Sequence, residues 1–276
     1  MKVSRKNVYF ASDAHLGLDL FENPIDSERR LVRWLDSIKD KAKAAYFVGD
    51  MFDYWFEYRD VVPKGYSRFI GKMAEMADNG TEIHLFTGNH DIWMFGYFEK
   101  EVGATIHTQE LITEIDGKKF FIAHGDGLGD PSLSFRILRK FFRNKPCQAL
   151  YKMIHPRLTV PFGYAWSRYN RKKKLSDKGA KYLGEKKEYL VQFAKQHAQS
   201  QKIDFYIFGH RHIVLDLLIT PTQRVAILGD WIQNFSYGMW DGTNFSSQFK
   251  QHLKIKKFLG TTENAVRIQI SVAIIT

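Results

Sequence analysis

Ile83-His84-Leu85-Phe86-Thr87-Gly88-Asn89-His90-Asp91 joins a short apolar, β-prone run to a turn carrying three polar side chains. Short apolar runs without clean alternation suit strands buried on both faces. The same event recurs along the chain. Val8-Tyr9-Phe10-Ala11 leads into Asp13-Ala14-His15, and Ala45-Tyr46-Phe47-Val48 leads into Gly49-Asp50, with Asp53 close behind. Phe120-Phe121-Ile122-Ala123 ends in His124-Gly125-Asp126, and Phe205-Tyr206-Ile207-Phe208 ends in Gly209-His210-Arg211-His212. A sixth run, Val225-Ala226-Ile227-Leu228, has the same character.

Helical patterns separate these runs. Ser27 to Lys43 carries an apolar stripe at Leu31, Trp34, Leu35 and Ile38, with Asp26 or Ser27 able to cap its start. Tyr66 to Asn79 repeats the stripe with Phe69, Ile70, Met73, Ala74 and Ala77, and Gly80 stands at the stop position. Strand and helix alternate, so the fold class is α/β. In open sheets of this class, ligands bind beyond the carboxyl ends of the strands, so the five polar loops are expected to converge. One interval, about 131–200, contains no convincing strand and is rich in Lys, Arg and aromatics, which marks a helical insertion. Val266 to Val272 alternates apolar and polar residues like a strand with one face in solvent.

The totals set bounds. The 276 residues suffice for one catalytic domain spanning 1–276 and containing that insertion. No apolar run reaches the roughly 18 residues of a membrane-spanning helix, and the apolar run at Val8 is too short for a signal-peptide core. The single cysteine, Cys147, excludes an internal disulfide and any multi-Cys zinc site. A cytoplasmic location is the expectation. The net charge of +11 suits acidic partners: nucleic acid, anionic lipid or phosphate-bearing small molecules.

Asp13, His15, Asp50, Asn89, His124, His210 and His212 together offer a mixed oxygen and nitrogen ligand set. That set suits Mn, Fe or Zn better than Ca or Cu(I), and it is large enough for two ions. A carboxylate such as Asp50 could bridge two cations about 3.5–4 Å apart, the spacing of two-metal hydrolases. Singly, these motifs say little: Gly-Asp after a strand is usually a turn, and exposed His pairs are common. Their order, each at a strand end, is what coincidence does not supply.

That order, Asp-x-His, Gly-Asp, Gly-Asn-His-Asp, His-Gly-Asp, Gly-His-x-His, resembles the signature of the calcineurin-like metallophosphoesterases, with every element intact. The resemblance implies a four-layer α/β/β/α sandwich. It assigns Asp13, His15, Asp50 and His212 to one divalent ion, and Asp50, Asn89, His124 and His210 to the other. It also makes His90 a catalytic group outside the ligand set, with Asp91 orienting it.

Finer features are similar to one branch, the UDP-2,3-diacylglucosamine pyrophosphohydrolases. Gly49-Asp50-Met51-Phe52-Asp53-Tyr54-Trp55 and Leu228-Gly229-Asp230-Trp231 resemble its motifs, and the 86-residue interval from His124 to His210 accommodates its helical lid. The best-known members of this branch carry Arg where His90 stands. The resemblance implies hydrolysis of UDP-2,3-diacylglucosamine to UMP and 2,3-diacylglucosamine 1-phosphate with two Mn2+. It implies substrate contacts from Asn89, His90 and His210, and by loose alignment from Asn170 and Lys178, with acyl selectivity from the insertion, Trp55 and Phe56. Phe135, Ile137, Leu138, Phe141 and Phe142 interleave with Arg136, Arg139, Lys140 and Arg143. Such a basic amphipathic helix could lie on an anionic membrane surface, as a peripheral protein on the cytoplasmic face of the inner membrane, or pack on the core with a solvated basic face. Two other functions fit less of the chain: a phosphodiesterase acting on another nucleotide or on nucleic acid, whose long duplex the clustered charge favours less, and a metal-free interaction module, which has no need of seven converging polar groups.

Overall fold

A computed structural model describes residues 5–19, 23–130, 132–176 and 181–249. The first half runs β1 (Asn7–Ala11), α1 (Pro24–Ile38), β2 (Ala42–Val48), α2 (Ser67–Asp78), β3 (Glu82–Phe86), α3 (Tyr97–Glu101), β4 (Thr105–His107), β5 (Leu111–Ile115) and β6 (Lys118–Ala123). Then come α4 (Leu133–Arg143), α5 (Lys145–Met153), α6 (Pro156–Ser176), α7 (Tyr189–His197), β7 (Phe205–Phe208), β8 (Val214–Leu218), β9 (Arg224–Leu228), β10 (Ser236–Trp240) and β11 (Phe245–Phe249). The strands form two sheets, ordered β11-β10-β1-β2-β3-β4 and β5-β6-β7-β9-β8. Strands β1 to β4 are mutually parallel, as are β6, β7 and β9, so their carboxyl ends lie on common edges.

Alternation along each strand builds four layers. Tyr9 and Ala11 of β1, with Ala45 and Phe47 of β2, pack outward against Leu31, Trp34 and Leu35 of α1 and Phe69 and Met73 of α2. Val8 and Phe10, with Tyr46 and Val48, point the other way and meet Phe120, Ile122, Ile207 and Ala226 of the second sheet. The far face of that sheet, Phe121, Tyr206, Phe208 and Val225, is covered by Leu190, Val191 and Ala194 of α7. The result is the expected α/β/β/α order, with every central strand buried on both faces.

Several boundaries differ from expectation. Helix α1 starts earlier, at Pro24, because Asn23 rather than Asp26 or Ser27 accepts from the Ile25 N–H, and proline fits the first helical turn. Strands β4, β5, β8, β10 and β11 escaped the sequence patterns because they are short or interleave polar residues, as in Ser236-Tyr237-Gly238-Met239-Trp240. The interval 131–200 is not all insertion: α4, α5 and α6 project over the strand ends, whereas α7 is a frame helix packed on the second sheet. Val266 to Val272 lies outside the described residues.

A pair of histidines sits where β3 meets the edge strand β4. His84 stacks on Tyr46 with centroids 4.2 Å apart, His107 stacks on Phe86 at 4.5 Å, and His84 Nδ1 lies 3.0 Å from His107 Nε2. Burial, with the facing His84, pushes His107 from its ordinary 6.5 down to about 4, and burial also lowers His84 against the pull of Glu82. Between those pH values the unfolded chain binds more protons than the folded one, so stability falls as pH drops from about 6.5 toward about 4. His107→Gln is expected to flatten that slope, measured by urea unfolding of the metal-free protein at stepped pH; an unchanged slope would show that the pair does not contribute.

Candidate metal centre

Asp13 and His15 follow β1, Asp50 follows β2, Asn89 and His90 follow β3, His124 follows β6, and His210 and His212 follow β7. The turns that aim them are tight. Asp13, His15, Asp50, His210 and His212 all have positive φ, between 43° and 65°, a region non-glycine residues seldom occupy. Each such residue costs on the order of 1–3 kcal/mol and persists only where its surroundings over-determine it. Here the loops brace one another. Asp13 N–H donates to Gly49 O, His15 N–H to Asp50 O, and Gly209 N–H to His124 O, at 3.1, 3.0 and 3.0 Å. His210 N–H donates to Asp13 Oδ2 at 2.8 Å. Two glycines are required by close approach: a Cβ on Gly88 would collide with the Asp50 carboxylate, and one on Gly209 with the Ser12 hydroxyl.

Seven side chains meet as the sequence suggested. Asp13, His15 and His212 bring one ligand atom each within 4.8 Å of one another, and Asp50, His124 and His210 form a second such group. Asp50 Oδ2 lies between them, 3.6 Å from His15 Nε2 and 3.3 Å from His124 Nε2. Asn89 Oδ1 is 3.4 Å from His124 Nε2. Asp13 Oδ1 is buried and takes no hydrogen bond, with His212 Nε2 3.3 Å away. Burial raises the Asp13 carboxyl, tempered by His212 and His124. Burial also opposes ionisation of Asp50, but His124, His90 and His15 outweigh it and hold that carboxyl well below the usual range. Buried carboxylates, imidazole nitrogens and an amide oxygen facing one space form a donor set suited to divalent cations.

The imidazoles are held from behind. His124 Nδ1 donates to Val48 O at 2.9 Å, which leaves Nε2 facing the centre. His212 Nδ1 lies 3.3 Å from Asp230 Oδ2, and His15 Nδ1 lies 3.5 Å from Asp53 Oδ1. Such partners fix the ring orientation and tautomer of a ligating histidine. Asp230 and Asp53 were not among the expected site residues, although both carry a sequence signal. Asp230 follows the sixth apolar run and a glycine, as Asp50 follows the second, and Asp53 stands close behind Asp50.

His90 stands beside this centre, its ring edge-on to His15 at 4.8 Å between centroids. Its Nδ1 donates to the Asp53 carbonyl at 3.0 Å, with Asp53 Oδ1 at 3.9 Å and Ser167 Oγ of α6 at 3.4 Å. The role expected of Asp91 therefore falls to Asp53. Asp91 is fully buried, and its two oxygens accept from the N–H groups of Gly88, Asp50, Met51 and Phe52 at 2.7, 3.2, 2.8 and 3.3 Å. It fastens the β2 loop to the β3 loop. Nothing in the sequence of α6 marked Ser167. Asn170 lies three residues beyond it on the same face of α6, half-buried, and Lys178 lies outside the described residues.

Helices α4 to α6 form a roof over the loops that follow β2 and β3. Tyr54 and Tyr151 hydroxyls meet at 3.1 Å, and Phe56 packs on Tyr151 with centroids 4.7 Å apart. Trp55, expected to select acyl chains, is instead fully buried among Phe52, Tyr66 and Phe98, with Nε1 donating to Glu57 at 3.2 Å. On α4, Arg139 and Arg143 turn inward to Asp126, Arg139 Nε donating to it at 2.6 Å, while Arg136, Lys140, Ile137 and Phe141 are exposed. Leu150, Met153, Leu158 and Phe162 are also exposed, Met153 by 82%. No helix among the described residues is long and apolar enough to cross a membrane.

Residues 6–214 match the calcineurin-like phosphoesterase family, and the chain belongs to it. It is a hydrolase, and its clusters of Asp and His fit divalent metal binding. It is 46% identical to the UDP-2,3-diacylglucosamine hydrolase of Porphyromonas gingivalis, over 87% of this chain and 95% of the relative. The enzymes of the same name from Hahella chejuensis and Pseudomonas aeruginosa are 27% and 28% identical, over 86% and 82% of this chain and 94% and 91% of theirs. Among solved structures, TT1561 of Thermus thermophilus aligns over 89% of this chain and 99% of its own, at 9% identity and a TM-score of 0.43.

Proposed function

We propose that the chain cleaves the pyrophosphate bond of UDP-2,3-diacylglucosamine, releasing UMP and 2,3-diacylglucosamine 1-phosphate, with two Mn2+ ions. The observation that carries the substrate is the 46% identity to a hydrolase of that name across nearly its whole length. Asp13, His15, Asp50 and His212 would hold one ion, and Asp50, Asn89, His124 and His210 the other. When bound, such a pair activates water and neutralises charge on a phosphate. The protein's part is to aim these groups and to exclude bulk solvent beneath the roof. His90, whose Nδ1 donates to the Asp53 carbonyl, would donate from Nε2, when doubly protonated, to the oxygen on which charge develops. Asn89, His90, His210, Asn170 and Lys178 would contact the substrate.

The substrate is amphiphilic, and the outward apolar residues of α4 to α6 support the reading that the roof rests on an anionic lipid surface. The cytoplasmic face of the inner membrane is the corresponding location.

The test is UMP release from UDP-2,3-diacylglucosamine with Mn2+, repeated after chelation. Mn2+-dependent release of UMP and the acylated sugar phosphate is the expected result. Hydrolysis of bis(p-nitrophenyl) phosphate without UMP release would keep the phosphoesterase and discard this substrate. Purified protein that takes up no divalent ion would point to a metal-free module instead.

A further inference from the structure

Arg211 stands between His210 and His212 and carries no ligand role. Its guanidinium forks onto Glu188, with Nε donating to Oε2 at 3.0 Å and Nη2 to Oε1 at 3.1 Å. Glu188 is fully buried, stands at the N-cap of α7, and also accepts from the Leu183 N–H at 3.0 Å. Arg211 Nη2 reaches the Lys181 carbonyl at 3.3 Å as well. This pair therefore ties the β7 loop to the segment that returns from the roof to the frame.

Burying a charge is costly, and the buried Glu188 carboxylate is matched by the part-buried Arg211 guanidinium at a particular loop. The loop is the one in which both His210 and His212 have left-handed backbones, at φ 65° and 52°. On its inner side it is held by His210 N–H donating to Asp13 Oδ2 at 2.8 Å, and at its end by Asn234 Nδ2 donating to His212 O at 3.2 Å. Arg211 is the residue between these ties, and its anchor is Glu188.

We propose that Glu188 is a positioning residue for His210 and His212, acting through Arg211, so that metal affinity depends on a carboxylate outside the ligand set. The inference rests on the two-metal reading above. Both histidines are assigned there to different ions, so loosening Arg211 loosens a ligand of each.

The experiment is calorimetric titration of MnCl2 into the metal-free full-length chain. Glu188→Gln keeps the shape and removes the charge; it is expected to weaken Mn2+ binding by about tenfold or more, the range for partners behind metal ligands. Glu188→Asp should recover part of the loss. Asp216→Asn is the control, because it breaks another arginine fork, to Arg224 on the neighbouring strand, away from the ligands. It is expected to lower the melting temperature and leave Mn2+ affinity within about twofold of wild type, since Asp216 lies within β8 and ties that strand to β9 rather than a ligand-bearing loop. Folded Glu188→Gln protein that binds Mn2+ as tightly as wild type overturns the inference. Should that variant fail to fold, Arg211→Lys decides: it keeps the charge but loses the fork, and unweakened binding overturns the proposal. Wild-type chain that binds no Mn2+ removes the two-metal reading and this inference together, so the two failures are told apart.

Discussion

Asp50→Ala is expected to lower phosphodiester hydrolysis by about 10³-fold or more at any Mn2+ concentration, beyond the loss that follows removal of one charge-stabilising donor. Asp50 Oδ2 is the atom common to both groups of candidate ligands, 3.6 Å from His15 Nε2 and 3.3 Å from His124 Nε2. Its other oxygen accepts from the His90 N–H at 2.8 Å, so the same side chain also sets the loop that carries the candidate catalytic imidazole. Alanine removes all three functions, and added metal cannot restore a missing bridge. The measurement pairs kcat on bis(p-nitrophenyl) phosphate with the number of ions retained after desalting. Activity within about tenfold of wild type would sink the two-metal reading, because Asp50 is the carboxylate assigned to both ions.

His90→Ala is expected to lower kcat by about 10²–10⁴-fold, the usual weight of a general acid or base, while the protein keeps its metal. The second half of that outcome is the discriminating one. His15, Asp53 and His90 also bring ligand atoms within 4.8 Å of one another, so geometry alone would let His90 bind an ion. If His90→Ala loses an ion along with activity, His90 is a ligand and its assignment as a catalytic group falls. His90→Arg should retain more activity than the alanine variant, because a guanidinium also stabilises charge on phosphoryl oxygen. Equal activities for the two variants would argue that charge at this position does not matter.

What could be read from the sequence followed from burial. Phe47, Phe86, Ile122 and Ile207 lie in strands covered on both faces, so each leaves an unbroken apolar run, and the polar residues that end the runs stand out. The side chains that converge at the strand ends were legible for that reason. Strands with a wet face or few residues, such as β5 with Leu111-Ile112-Thr113-Glu114-Ile115, gave no such edge. Contacts made between distant segments were equally hidden. Asp91 is adjacent to His90 in sequence, yet its carboxylate is consumed by backbone N–H groups of two loops, and Asp53 supplies the contact instead. The orientation of α4 was also undetermined, since alternating Arg and Phe permit either face to turn inward. The carboxylate of Asp126, already part of a sequence motif, draws Arg139 in and leaves Phe141 out.

The left-handed backbone at Asp13, His15, Asp50, His210 and His212 gives natural selection a direction. Glycine at any of these positions would relax the main chain and delete chemistry in one step. Under selection for sturdiness alone, the centre is therefore what the protein would shed first, with the layered frame left standing. Descendants of this frame that have stopped hydrolysing anything should tolerate heat better than those still at work. A laboratory search for thermal tolerance in this chain needs turnover as a second criterion, or it will find empty scaffolds.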